Sequence, residues 1–302
     1  MNYQEFVNEV KEKVQEKVRE SEIIVSVNEK NNQVQRVGIT FKSKADKKID
    51  IAPTIYLESY FFRYERKEIS IEDAVEEIKD TYIESQKRLT CNNSICCGNE
   101  MIKIDDFKSV KPRIICTLVN RRLNKESLLE MPYIPFRDLA ITFRIVFSNE
   151  PGNIATAQIC NEHMELWGVS IEDITKVALQ NTQRLFPVML KSMDEVLKDV
   201  LGKDDMTKDV MYLLSNQLVY NGSITILYPR CLKKIADMLG ENFYILPSSI
   251  HEVILLRESF AEDAEYLRWM IQEVNATEVA PEEILSDRAY YYDRETDTII
   301  EC

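Results

Sequence analysis

The sequence predicts an α+β protein with mixed sheets and flanking helices, divisible into two subdomains. Three observations carry this. Apolar residues recur at three- to four-residue spacing in several stretches, as one face of a helix requires. Between those stretches the period drops to two, or the apolar run becomes nearly continuous, as strands require. Residues 89–111 lose both periods and turn polar. They mark a linker or surface insertion between an N-terminal α+β subdomain (1–88) and a C-terminal mixed α/β subdomain (112–302).

Taken in order, Tyr3, Phe6, Val7, Val10, Val14 and Val18 line one face of a helix over 3–20. Ile23, Val25 and Val27 alternate with their neighbours as a strand, Lys30-Asn31-Asn32 turns, and 34–41 returns as a hairpin partner. Pro53 should end a strand and Thr54 cap a helix carrying Tyr56, Tyr60 and Phe61. Ser70 opens a clear helix with Ile71, Ala74, Val75, Ile78 and Tyr82 inward, and Asp73 in the capping-box position. The same SIED recurs at 170–173. Helix starts favour these residues, and the flanking sequences differ, so it is read as a second cap rather than a repeat.

Beyond the polar stretch, PRIICTLVN reads as a strand and 139–147 as a stronger one, covered on both faces. Arg144 within it fits an edge position with a snorkelling side chain. Asn161 can cap a short helix that Gly168 closes, and a second helix covers 171–185. MLKSMDEVLKDVL is a short helix or an acidic loop. Strands at 211–214 and 224–227, the Asn221-Gly222 turn, and a helix from Pro229 to Gly240 suggest a small β-α-β unit. A helix over 264–274 buries Ala264, Leu267, Ile271 and Val274, and AYYYDRETDTII forms two final short strands.

Composition excludes several classes. The 302 residues are 45% hydrophobic and 29% charged, which is ample for a core. Lys+Arg 38 against Asp+Glu 51 leaves a net charge of −13. That balance opposes phosphate backbones, so a nucleic-acid partner is disfavoured. Arg121, Arg122 and Lys125 form the one modest basic group, without interleaved aromatics, and read as a solvated face. No apolar run spans a membrane, and the N-terminal stretch lacks the apolar core of a signal peptide, so the expected location is cytoplasmic. The seven cysteines, an odd number without a CxxC knuckle, are then free thiols; CNNSICC at 91–97 is the exception to watch.

Six segments in order carry a likeness: APTIYLE (52–58), NEHMELWG (161–168), NTQRLFP (181–187), LPSSIHEV (246–253), NATEVAP (275–281) and ILSD (284–287). Across nearly its full length the chain resembles an uncharacterised bacterial family catalogued as a domain of unknown function. The middle segment is similar, more weakly, to a second uncharacterised bacterial family in which a helix ending in Trp-Gly precedes a longer one. Neither resemblance implies an activity, cofactor or catalytic residue.

Chemistry-bearing candidates are few. In LPSSIHEV, Ser248, Ser249, His251 and Glu252 offer a nucleophile, a base and an orienter, but sequence neighbours rarely converge as a triad does. Ser249 and Glu252 equally fit the capping box of a one-turn helix. Asn161, Glu162 and His163 fit either a site or a helix cap with His163 beside Trp167. Asn275, in NATEVAP, completes the candidate binding residues or simply ends its helix. A zinc set from the two histidines with Glu162 and Glu252 would need distant segments to meet, so no metal is expected. No phosphate-loop, dinucleotide or hydrolase motif is present, and no cofactor is expected. The expected function is binding of an unknown protein or small-molecule partner without catalysis. The alternative is a small-molecule or hydrolytic enzyme using His163 and His251.

Overall fold

The computed structural model describes residues 1–43, 54–88, 94–97, 100–196, 210–261 and 263–302. It is an α+β fold of antiparallel sheets and helices, in two compact units. One unit is Met1–Lys30 with Val34–Val110; the other is Asn31–Gln33 with Lys111–Cys302.

In the first unit, α1 (Tyr3–Lys17) starts at Asn2, whose side chain accepts from the Glu5 N–H while Glu5 reaches back, a full capping box. β1 (Ser21–Glu29) and β2 (Gln35–Ser43) form a long hairpin. β3 (Thr54–Tyr56) adds to β2, followed by α2 (Glu58–Glu65). The expected helix cap at Thr54 is therefore wrong. Thr54 Oγ1 meets Thr40 Oγ1 across the ladder at 2.8 Å and Ile55 lies buried opposite Ile39, which suits β-branched residues. α3 (Ile71–Arg88) packs its apolar stripe with that of α1 on the sheet. Phe41 stacks on Tyr82 at 4.1 Å, and the Tyr82 hydroxyl pairs with Ser21 Oγ at 2.6 Å. Within the stretch expected as linker, β4 (Ser94–Cys97) and β5 (Glu100–Lys103) pair as a hairpin and α4 (Phe107–Val110) follows; these group with the first unit.

The second unit holds two antiparallel sheets. The smaller has β6 (Ile114–Asn120) on one side of β8 (Leu139–Glu150), with β7 (Tyr133–Phe136) and β9 (Asn153–Gln158) end to end on the other. Twelve residues let β8 serve two partners along one edge. Arg144 consequently lies on a central strand, between Ile115 and Gln158, rather than at an edge as its charge suggested. α5 (Asn161–Trp167) ends at Gly168, whose φ of 62° is the left-handed conformation glycine permits. α6 (Ile171–Leu185), with Ser170 and Asp173 as its capping box, packs on β6.

The larger sheet runs β10 (Val188–Ser192), β11 (Met211–Asn216), β13 (Val253–Arg257), β12 (Phe243–Leu246), β14 (Tyr290–Asp293), β15 (Thr298–Glu301). β10 begins the stretch expected as a short helix or acidic loop. The expected strand at 224–227 is instead a 3-10 turn, Gly222–Leu227, and α7 (Cys231–Leu239) follows; the strand before the helix is β11, which runs parallel to β12 with β13 between them. Ile224, Thr225 and Ile226 are all buried, which a one-sided strand would not allow, and the Ser223 N–H and hydroxyl both go to the Ile250 carbonyl. α8 (Ala264–Thr277) sets Leu267 and Ile271 against Leu246 and Leu256 on one sheet face. Phe243, Ile245, Leu255, Tyr290 and Tyr292 are buried on the other.

Among the described residues, no helix is long and apolar enough to cross a membrane. Cys116, Cys160, Cys231 and Cys302 are free thiols. Cys91 and the side chains of Cys96 and Cys97 lie outside the described residues.

Candidate functional site

LPSSIHEV connects β12 to β13, with bends at Ile250 and His251. Ile250 N–H donates to the Glu283 carbonyl (2.8 Å), Leu285 N–H to Ser248 (2.9 Å) and Ser286 N–H to Pro247 (3.0 Å). With the bridge between Ser249 and Ile284, residues 247–250 and 283–286 make a short antiparallel ladder. Two of the family-like segments, LPSSIHEV and ILSD, are thus one structure. The one-turn helix expected at Ser249–Glu252 does not form, because these amides and carbonyls are already spent on the ladder. Ser249 is buried, and its Oγ accepts the His251 N–H at 3.0 Å. Gly222 lies so close beneath the loop that a Cβ there would stand 2.4 Å from the His251 carbonyl.

His251 is a quarter exposed and doubly engaged. Its Nδ1 accepts the Asn221 N–H at 3.3 Å, which leaves the ring proton on Nε2, 3.4 Å from Glu283 Oε1. Asn221 is left-handed at φ 47°, a conformation asparagine tolerates, and this turn aims its amide at the ring. Beside it, burial pushes the Glu252 carboxyl above the usual range and nearby Glu283 adds to that, while His251 and a bond from Ser249 pull it down. The Tyr220 ring lies 6.3 Å from that of His251. Its hydroxyl pairs with Thr156 Oγ1 (2.8 Å), which also takes Arg144 Nε (2.8 Å), and Arg144 Nη1 donates to Gln158 (3.0 Å). A polar row therefore runs from Glu283 through His251 and Tyr220 to Arg144. Its members other than His251 were not singled out as site residues by sequence. Their contacts arise from strands far apart in the chain, and only the Asn-Gly turn and the arginine in an apolar run hinted at them.

Of the α5 candidates, His163 takes a cap role. The helix begins one residue earlier than expected, with Cys160 as its N-cap. Asn161 donates from Nδ2 to the Leu129 carbonyl at 3.0 Å. His163 Nδ1 accepts the Cys160 N–H at 3.0 Å, and its ring lies 5.5 Å from Trp167. Burial lowers its affinity for a proton against the pull of Glu162, which is exposed. Asn275 does not end its helix, which continues to Thr277. It is buried, with Nδ2 donating to the Ser286 carbonyl (3.0 Å) and Asp287 (2.9 Å). Ser248 contributes its carbonyl to the ladder.

Among the described residues, no contact joins His163 to His251, and no three His, Cys, Asp or Glu side chains gather as a metal cage would require. Two open clefts, of about 600 Å³ beside Tyr64 and Asp73 and about 530 Å³ beside Val188 and Gln217, contain none of the expected site residues.

No curated protein and no solved structure matches the chain. Residues 3–294 match the family of unknown function DUF5688. With all but the ends of the sequence covered, the chain belongs to this family.

Proposed function

We propose that this is a non-enzymatic protein that binds a partner through its surface, with the two histidine motifs bracing the scaffold. One observation supports this reading above others: the Nδ1 of both histidines in the chain is occupied by a backbone N–H, and the second nitrogen of His251 faces Glu283. A general base needs a nitrogen directed at substrate. A histidine that caps a turn stabilises the turn instead. The enzyme alternative draws on Glu252, whose carboxyl is raised by burial and stands beside His251.

The test compares His163→Ala and His251→Ala with the parent chain, by melting temperature and by hydrolysis of a panel of simple esters, amides and phosphate esters. Lower melting temperatures, with no turnover by any form, are expected. Turnover by the parent that disappears in His251→Ala at an unchanged melting temperature would overturn the reading in favour of an enzyme.

A further inference from the structure

α8 is one-sided. Leu267, Ile271 and Asn275, four residues apart, are buried. The opposite side presents Tyr266, 42% exposed, and Trp269, 56% exposed, with ring centroids 5.7 Å apart. Glu265 stands one turn before Trp269 and Glu273 one turn after; both are exposed.

Two of the exposed aromatic rings among the described residues have a cation of their own, and two do not. Among the described residues, Phe62, Phe260, Tyr266 and Trp269 are the exposed large aromatics. Arg66 covers Phe62 at 4.2 Å and Arg257 lies 5.6 Å from Phe260. Neither Tyr266 nor Trp269 has such a cation, and neither Glu265 nor Glu273 makes an ion pair, among the described residues. Arg268, on the same helix, turns away and donates to the Cys302 carbonyl. Two open π faces between two unpaired carboxylates, on a chain of net charge −13, complement a positively charged partner.

We propose that the Tyr266–Trp269 face of α8 is a docking surface for a lysine- or arginine-bearing segment of a protein partner. The cationic head stacks on Trp269, and Glu265 and Glu273 pair with it or its neighbours. The proposal rests on the binding-protein reading and gives that reading a surface and a partner chemistry.

The experiment uses the full chain with Trp167→Phe, which leaves Trp269 as the single tryptophan reporter. It is titrated with an arginine-rich peptide and a length-matched glutamate-rich peptide, followed by tryptophan emission and calorimetry. Saturable binding of the arginine peptide alone is expected, weakening with salt. Calorimetry on Trp269→Ala should show affinity about two- to fivefold weaker. Glu265→Gln with Glu273→Gln should weaken it further, and circular dichroism melts should show each variant folded. Absence of saturable binding overturns the proposal. So does binding that these variants leave unchanged, which would mean general attraction to an acidic chain. A parent dimer that Trp269→Ala converts to monomer also overturns it, since a second copy would then cover the face. Each of these outcomes leaves the binding-protein reading standing, because that reading fails only on turnover in the hydrolysis panel.

Discussion

Glu252 links the stability of this loop to pH. Its carboxyl is pushed up chiefly by burial, so the folded chain holds that proton more tightly than the unfolded chain does. Its contribution to stability is then full below the usual carboxylate range and is lost as pH rises through the raised folded value. Glu252→Gln removes the charge and keeps the shape. The variant should melt higher than the parent at pH 7 and no higher at pH 4, by thermal unfolding monitored by circular dichroism. A variant that melts lower at pH 7 would mean that the ionised carboxylate is needed by Ser249 or His251.

At the scale of elements, α8 and the ILSD segment depend on one buried amide. Asn275→Ala leaves the Ser286 carbonyl without its donor in a buried setting. The expected loss is about 1–3 kcal/mol. Urea unfolding should show a lower midpoint with an unchanged slope. A loss well under that range would mean that the ladder of 247–250 with 283–286 holds ILSD without help. The pattern of the helix was legible in the sequence because Leu267 and Ile271 repeat at helical spacing. That Asn275 extends the same buried row was not, since an asparagine near a helix end also reads as a terminator. The 3-10 turn at Gly222–Leu227 was misread for a related reason. A short apolar run has no period of its own, and its conformation was set by Ile250, far along the chain.

At the scale of the whole molecule, the three residues Asn31–Gln33 belong with the second unit although they sit within the first in sequence. Asn32 gives its amide N–H to Asn124 Oδ1 at 2.8 Å, and its Nδ2 to the carbonyls of Pro281 (2.8 Å) and Ile284 (2.7 Å). Asn31 donates to the Glu282 carbonyl at 2.7 Å. Residues 111–302 expressed alone lack these donors. That fragment should unfold at lower urea than the same unit does within the full chain, as followed by protection of its amides from hydrogen exchange. Equal protection would mean that 31–33 contributes nothing to the second unit.

By itself, the sequence determined the fold class, most helices and strands, the caps at Ser70 and Ser170, the left-handed close at Gly168 and membership in a family of unknown function. Each of these follows from residues a few positions apart, through periodicity, capping and turn chemistry, or from segments recognised in order. Only the tertiary structure decided that Arg144 lies on a central strand, that LPSSIHEV and ILSD form one ladder, that each histidine's Nδ1 meets a backbone amide, and that Tyr266 and Trp269 face outward. Those outcomes depend on which strands become neighbours and which helix face finds a sheet. They are set by hydrogen bonds and burial between residues widely separated in the chain, and no local spacing encodes them.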